Sequence, residues 1–170
     1  MSAYTLFAAI EMASDQTISP DLCNCLALRQ AARHVTQFYD QCLAPIGLRA
    51  TQFSVLAKLK RLGPMTINTL AEAMVMDRTT LGRNILPLER DGLIAVRQGS
   101  ADRRSKEVSL TEAGIARFRL ATEAWLLAQS RFEVAFGDTR AAQLRATLRD
   151  VATTDLDVTG SGPPSRSAEH

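Results

Sequence analysis

The stretch MTINTLAEAMVMDRTTLGRNILPLERDGLIAVRQGSADRRSKEVSLT, residues 65–111, decides the fold. Thr66 precedes one apolar-periodic run, Ile67, Leu70, Ala71 and Met74, and Asp77 precedes another, Leu81, Ile85 and Leu88. Steps of three and four residues gather each set on one helical face. Threonine and aspartate are side chains that accept the first unpaired N–H groups of a helix. Two short helices joined by a tight connection make a helix-turn-helix, the second running from Asp77 to about Arg90 and closed by Asp91-Gly92. Pro87 removes a hydrogen bond to the Arg83 carbonyl and should kink or loosen the last turn. Two strand-like runs follow, Leu93–Gln98 and Ser105–Leu110, joined through a turn at Gly99-Ser100-Ala101-Asp102.

With Leu81, Ile85 and Leu88 turned inward, Thr79, Thr80, Gly82 and Arg83 face outward near the start of the second helix. Those are the positions that meet base edges when such a helix enters a major groove. Threonine suits a thymine methyl or a phosphate, and arginine suits the forked contact to guanine. Gly82 removes a side chain where the approach is closest, and Arg78 and Asn84, at the edges, suit phosphates. The hairpin tip carries Asp102, Arg103 and Arg104, with Arg97 and Lys106 on the strands. An arginine on such a tip suits the narrow minor groove of A·T tracts. Asp102 is placed to hold an arginine through a paired hydrogen bond.

Charge agrees with this reading. Residues 49–106 hold 11 Lys/Arg against 5 Asp/Glu, whereas the remainder holds 9 against 13, although the whole chain is near neutral at +2. A local basic excess is the footprint of a phosphate-binding surface. The 170 residues, 46% of them hydrophobic and 5% aromatic, fit one domain rich in helix. No apolar run reaches the length of a membrane helix, and Tyr4–Ala13 lacks the basic start of a signal peptide. A cytoplasmic protein is expected. Three cysteines and two histidines show neither disulfide-framework nor metal spacing. No cofactor or metal is expected. An enzyme is disfavoured because no acid–base pair, phosphate-binding glycine loop or nucleophile signature is present. A winged helix used for protein interaction is the alternative from another class.

Working outward, Ser19-Pro20-Asp21 should start a long first helix with the stripe Cys25, Leu28, Ala32, Val35, Tyr39 and Cys42. A second helix spans about Thr51–Leu62 and stops at Gly63-Pro64. Thr111-Glu112 opens a long helix striped by Ile115, Phe118, Thr122, Trp125, Leu126, Gln129, Phe132 and Phe136. Asp138 then caps a last helix with Ala141, Leu144, Leu148 and Val151 facing inward. The expected fold class is mainly α: a winged helix-turn-helix with a two-stranded wing, flanked by long terminal helices that pair two copies of the chain. The boundaries are a flexible extension at 1–18, an N-terminal dimerisation and effector-lobe helix at 19–48, and the DNA-binding domain at 49–111. C-terminal dimerisation helices at 112–157 and a disordered tail at 158–170 complete the chain.

Several stretches resemble the MarR family of regulators. Asp102 to Thr111, followed by Glu112-Ala113-Gly114, is similar to the family's wing signature D-x-R-x5-L-T. Similar too are Leu70-Ala71-Glu72-Ala73, Met76-Asp77-Arg78-Thr79-Thr80-Leu81 and Leu88-Glu89-Arg90-Asp91-Gly92-Leu93-Ile94. The resemblance spans about Leu22–Val151. It implies a homodimer on a pseudo-palindromic double-stranded DNA operator, usually repressing, with Arg104 as wing arginine and Asp102 as its partner. It also implies release by small phenolic or aromatic compounds, or by oxidants, according to the member.

For an aromatic acid effector the expected residues are Arg29, Arg33 and His34 on the carboxylate, with Phe38, Phe53 and Met65 as apolar walls. For redox sensing the candidate is Cys25, which resembles the reactive position of the family's hydroperoxide sensors. Tyr39 matches one supporting tyrosine there, but Arg29 and Ala50 occupy the other two tyrosine positions. Arg29, one turn after Cys25, would favour its thiolate. Cys25 and Cys42, 17 residues apart, are separated by about 25 Å along an unbroken helix, so no disulfide joins them within one chain.

Overall fold

The computed structural model describes residues 20–99 and 105–156. The expectations for the extension at 1–18, for Ser19, for the hairpin tip and for the tail at 158–170 lie outside those residues. Helices dominate: α1 (Asn24–Leu43), α2 (Ala50–Leu62), α3 (Ile67–Ala73), α4 (Arg78–Arg90), α5 (Glu112–Phe136) and α6 (Asp138–Thr153). The strands are β1 (Met65–Thr66), β2 (Ile94–Gln98) and β3 (Lys106–Leu110). The chain divides into two compact units, one up to Ala128 and one from Gln129.

The first unit is built round Leu43, Val55, Leu56, Leu70, Leu81, Leu88 and Val108, all essentially sealed from solvent. The capping residues act as expected. Thr66 Oγ1 accepts the Thr69 N–H at 3.1 Å, and Asp77 Oδ1 accepts the Thr80 N–H at 2.8 Å. Leu81, Ile85 and Leu88 bury one face of α4. Pro87 lies inside α4 without ending it. The Asp91 N–H still donates to the Pro87 carbonyl at 2.9 Å, so the last turn is closed rather than loosened.

Several expectations need correction. The first helix starts late: Pro20–Leu22 is one 3-10 turn, and α1 begins at Asn24. Cys23 is its cap, its backbone extended and its sulfur accepting the Leu26 N–H at 3.4 Å. The inward stripe of α1 holds only for its second half. Val35, Tyr39 and Cys42 are half-buried, whereas Cys25, Leu28 and Ala32 are exposed. The sheet has three strands in the order β1-β3-β2, not the wing hairpin alone. Met65 pairs with Val108 and Thr66 with Glu107, so a two-residue strand after Gly63-Pro64 ties the start of α3 to the wing.

The connection from α3 to α4 is a Schellman turn. The Val75 N–H donates to the Glu72 carbonyl at 3.0 Å and the Met76 N–H to the Ala71 carbonyl at 2.9 Å. That geometry puts Val75 at φ 52°, where glycine is the usual residue and a β-branched side chain costs about 1–2 kcal/mol.

At the other end of α4, one hydroxyl joins three elements. Thr111 Oγ1 donates to the Gly92 carbonyl at 2.6 Å and accepts the Gly114 N–H at 3.0 Å. A Cβ on Gly114 would lie 1.9 Å from the Leu93 carbonyl oxygen, so no other residue fits there unchanged. The Thr and Gly of the L-T-E-A-G run are thus parts of a joint. Farther off, Asp40 Oδ1 accepts the Ala50 N–H at 2.7 Å, capping α2 from α1, and Arg117 donates to the Ile46 carbonyl at 2.9 Å.

The inward line of α5 differs from the expected stripe. Its buried residues are the small ones, Gly114, Ala121 and Ala128, spaced by seven. Phe118 and Trp125 are half-buried, and Leu126 points to solvent at 55% exposure. Small side chains allow close approach, which a stripe read from bulk alone misses. In the second unit Gly137, at φ 94°, precedes α6, and Asp138 makes no capping bond. Arg140 lies over the Phe136 ring at 4.3 Å, and Glu133 accepts from both Gln129 and Arg145. Ala141 is buried and Leu144 half-buried, but Leu148 and Val151 are exposed.

Candidate nucleic-acid interface

The outward face of α4 is set by its inward one. Arg78, Thr79, Thr80 and Arg83 are exposed, and Gly82 and Asn84 are half-buried at the margin. A polar chain runs along this edge. Thr80 Oγ1 donates to Asp77 Oδ2 at 2.6 Å, Asp77 Oδ1 accepts the Thr80 N–H, and Asn84 Nδ2 donates to the Thr80 carbonyl at 2.8 Å. The Thr80 hydroxyl, followed by its N–H, holds the Asp77 carboxyl below the usual carboxylate range. Thr80 is exposed and has thereby committed its only hydroxyl proton to the cap, leaving that oxygen able only to accept. The side chains of Thr79, Arg78 and Arg83 have no hydrogen-bond partner among the described residues.

Between α4 and the wing strands lies an open cleft of about 300 Å³, lined by Ile67, Gly82, Leu86, Val96, Arg97 and Lys106 among others. A Cβ on Gly82 would meet nothing within 4 Å. Its missing side chain therefore clears space outside the fold and relieves no contact within it. Lys106 is exposed opposite Gln98, and Arg97 is exposed opposite Glu107. Asp102, Arg103 and Arg104 lie outside the described residues. Sequence reasoning missed Leu86, a leucine 64% exposed one turn after Gly82, and Val75, 83% exposed in the turn before α4. Only the spacing of Leu86 from Gly82 hinted at its outward place.

The six expected effector residues are not gathered in that cleft. Arg29, Arg33 and His34 are exposed on α1, and Phe38 is half-buried with its ring edge-on to Tyr39 at 5.5 Å. Met65 is half-buried in β1. Phe53 requires correction. It is 7% exposed and its ring stacks on Phe118 at 5.4 Å and Trp125 at 5.8 Å, so it belongs to the core and is no open pocket wall. Cys25 is exposed and all three cysteines are unbridged. The unbroken α1 keeps Cys25 and Cys42 apart, as the spacing required. Among the described residues no helix is long and apolar enough to cross a membrane, and no group of three or more His, Cys, Asp or Glu is placed to hold a metal ion.

The model of the MarR family matches residues 48–106. An uncharacterized HTH-type transcriptional regulator of Bacillus anthracis is 31% identical over 107 residues, 63% of this chain and 71% of the relative. The chain belongs to the MarR family. An uncharacterized HTH-type regulator of Bacillus subtilis (strain 168), YwoH, is 36% identical over 85 residues. That match covers 50% of this chain and 61% of the relative's length. Among solved structures, the M. tuberculosis transcriptional regulator MosR in complex with DNA superposes with a TM-score of 0.67 at 38% identity, over 76% of this chain and 96% of that one. As a MarR-family member this chain is a DNA-binding transcriptional regulator, not an enzyme.

Proposed function

We propose that the chain works as a homodimeric repressor that reads a pseudo-palindromic operator, with α4 in the major groove and the β2–β3 wing beside it. The observation that carries this is the outer face of α4, where Thr79 and Arg83 stand exposed, their side chains without hydrogen-bond partners among the described residues, beside the cleft lined by Gly82. Arg83 takes a guanine fork, Thr79 and Thr80 meet base edges or thymine methyls, and Arg78, Asn84 and Lys106 meet phosphates. Asp102, Arg103 and Arg104 complete the wing, with Arg104 in the minor groove. Residues 49–111 form the reading domain, and 19–48 with 112–157 the dimerisation helices. Support for dimerisation comes from the first turns of α1, whose Leu26 and Leu28 are 37% and 41% exposed. Two α4 helices would then meet half-sites about one helical turn, roughly 10 bp, apart.

The test is anisotropy titration of the full-length protein on DNA from its own upstream region, with footprinting and rising salt. The expected result is a protected palindrome and a steep fall of affinity with salt. Binding that is indifferent to sequence at every salt concentration refutes operator recognition, and a monomeric mass on the operator refutes the dimer.

The release signal we assign is a small aromatic acid held by Arg29, Arg33 and His34 against Phe38 and Met65. Phenolic acids should raise the melting temperature and lower operator affinity, and the Arg29→Ala, Arg33→Ala pair should abolish both effects. A second reading, favoured by the exposure of Cys25 on α1, is release by thiol oxidation. Peroxide sensitivity that survives Cys25→Ser eliminates it.

A further inference from the structure

Val75 is an anomaly that the fold does not explain. It occupies the position of the Schellman turn where φ must be positive, at 52°, and it is the non-glycine residue among those described to do so. Glycine would adopt that backbone freely, and asparagine readily. A β-branched residue resists it. The side chain gives nothing back in packing, because it is 83% exposed, whereas its neighbours Met74 and Met76 are half-buried. The two turn hydrogen bonds use only backbone atoms, so any residue tolerant of positive φ would keep them. What glycine lacks is the isopropyl group, and among the described residues that group is left largely open to solvent. Strain held at an exposed position points to a use outside the chain.

The position narrows the partner. Val75 lies two residues before Asp77, the cap of α4, and so at the end of that helix which bears Thr79 and Arg83. We infer that Val75 is a DNA-contact residue whose isopropyl group packs on the deoxyribose of the strand flanking the groove that α4 enters. This rests on the docking of α4 proposed above. Sugar faces are the apolar part of the duplex backbone, so the contact adds affinity without releasing counterions and without reading a base. It is a role for shape, which neither glycine nor a charged residue would fill.

The experiment compares Val75→Gly, Val75→Thr and Arg83→Ala with the natural full-length protein, on the footprinted operator and at several salt concentrations. Val75→Gly should raise the melting temperature, because the turn is relaxed, and weaken operator binding about five- to tenfold. The slope of affinity against salt should not change, since no phosphate contact is lost. Val75→Thr keeps the shape and should bind within about twofold of the natural protein. Operator binding by Val75→Gly as tight as the natural protein's overturns the inference, and so does a Val75→Thr variant as weak as the glycine one. A changed salt slope or a changed oligomer mass in Val75→Gly also overturns it. Arg83→Ala separates the two levels. If it weakens binding while Val75→Gly does not, only the Val75 contact fails; if neither weakens binding, the docking of α4 fails.

Discussion

The outward face of α4 and the first half of α1 are both exposed, but in different ways. On α4 the outward residues other than Leu86 are polar, and the chain has already organised one edge of them. Asp77 holds Thr80, Thr80 holds Asn84, and Leu81, Ile85 and Leu88 fix the other side. On α1 the residues from Asn24 to His34 are exposed on every side, leucines included. A polar face with its own internal bonds is finished, ready for a hydrated, charged ligand. An apolar face without a neighbour is unfinished, because leaving leucine in water forgoes about 1.5–3 kcal/mol of burial for each side chain. On the proposed reading, the difference separates a surface for DNA from one for a second copy of the chain.

The comparison can be broken most severely at the joint that supports α4. Gly114→Ala puts a methyl group into the Leu93 carbonyl and should cost about 3 kcal/mol or more, measured by urea denaturation. A change below about 0.5 kcal/mol would mean that the junction yields. Next in size, Leu26→Asp or Leu28→Asp on α1 should leave monomer helicity intact and shift sedimentation from dimer to monomer at micromolar concentration. An unchanged mass would show that α1 is finished after all. Arg83→Ala should lose about 1–3 kcal/mol of base discrimination and no thermal stability, read by competition between operator variants. Smallest is the cap. Asp77→Ala should lower the melting temperature modestly, and its deficit should depend on pH. A carboxyl held below its usual range stabilises the fold fully above that range and loses the contribution as pH falls through the lowered value. The gap between natural and variant proteins should therefore be constant near neutrality and close in acid. A gap that persists in strong acid would mean that the carboxylate charge is not what caps α4.

How much of this was legible in the sequence follows from the reach of each interaction. Thr66 and Asp77 act on residues three positions ahead, and Leu81, Ile85 and Leu88 share one face by spacing alone. The helix-turn-helix could accordingly be read from residue types in order. Val75 could not, because a turn of this kind is announced by glycine and here carries a β-branched residue. The pairing of Met65 with Val108, the capping of Ala50 by Asp40 and the grip of Arg117 on Ile46 join residues distant in sequence, and no local period signals them. On α5 the error had another source. Bulk and spacing point to the large residues as the buried line, whereas the fully buried residues are Gly114, Ala121 and Ala128. Phe53 is ambiguous in sequence for a related reason: an aromatic ring reads alike as pocket wall or core, and only its stack on Phe118 and Trp125 decides. The outward residues of α4 were found because their inward neighbours were.

The Thr111 hydroxyl has a consequence for how an operator can vary. It binds the carbonyl just past α4 and receives the N–H of the helix that follows β3, so helix exit and wing return share one oxygen. On the proposed docking, this shared oxygen couples the two reading elements and restrains their relative phase along the duplex. In the proposed dimer, variation in half-site spacing would then be absorbed where no such pin exists, in the separation of the two copies or the bending of the DNA.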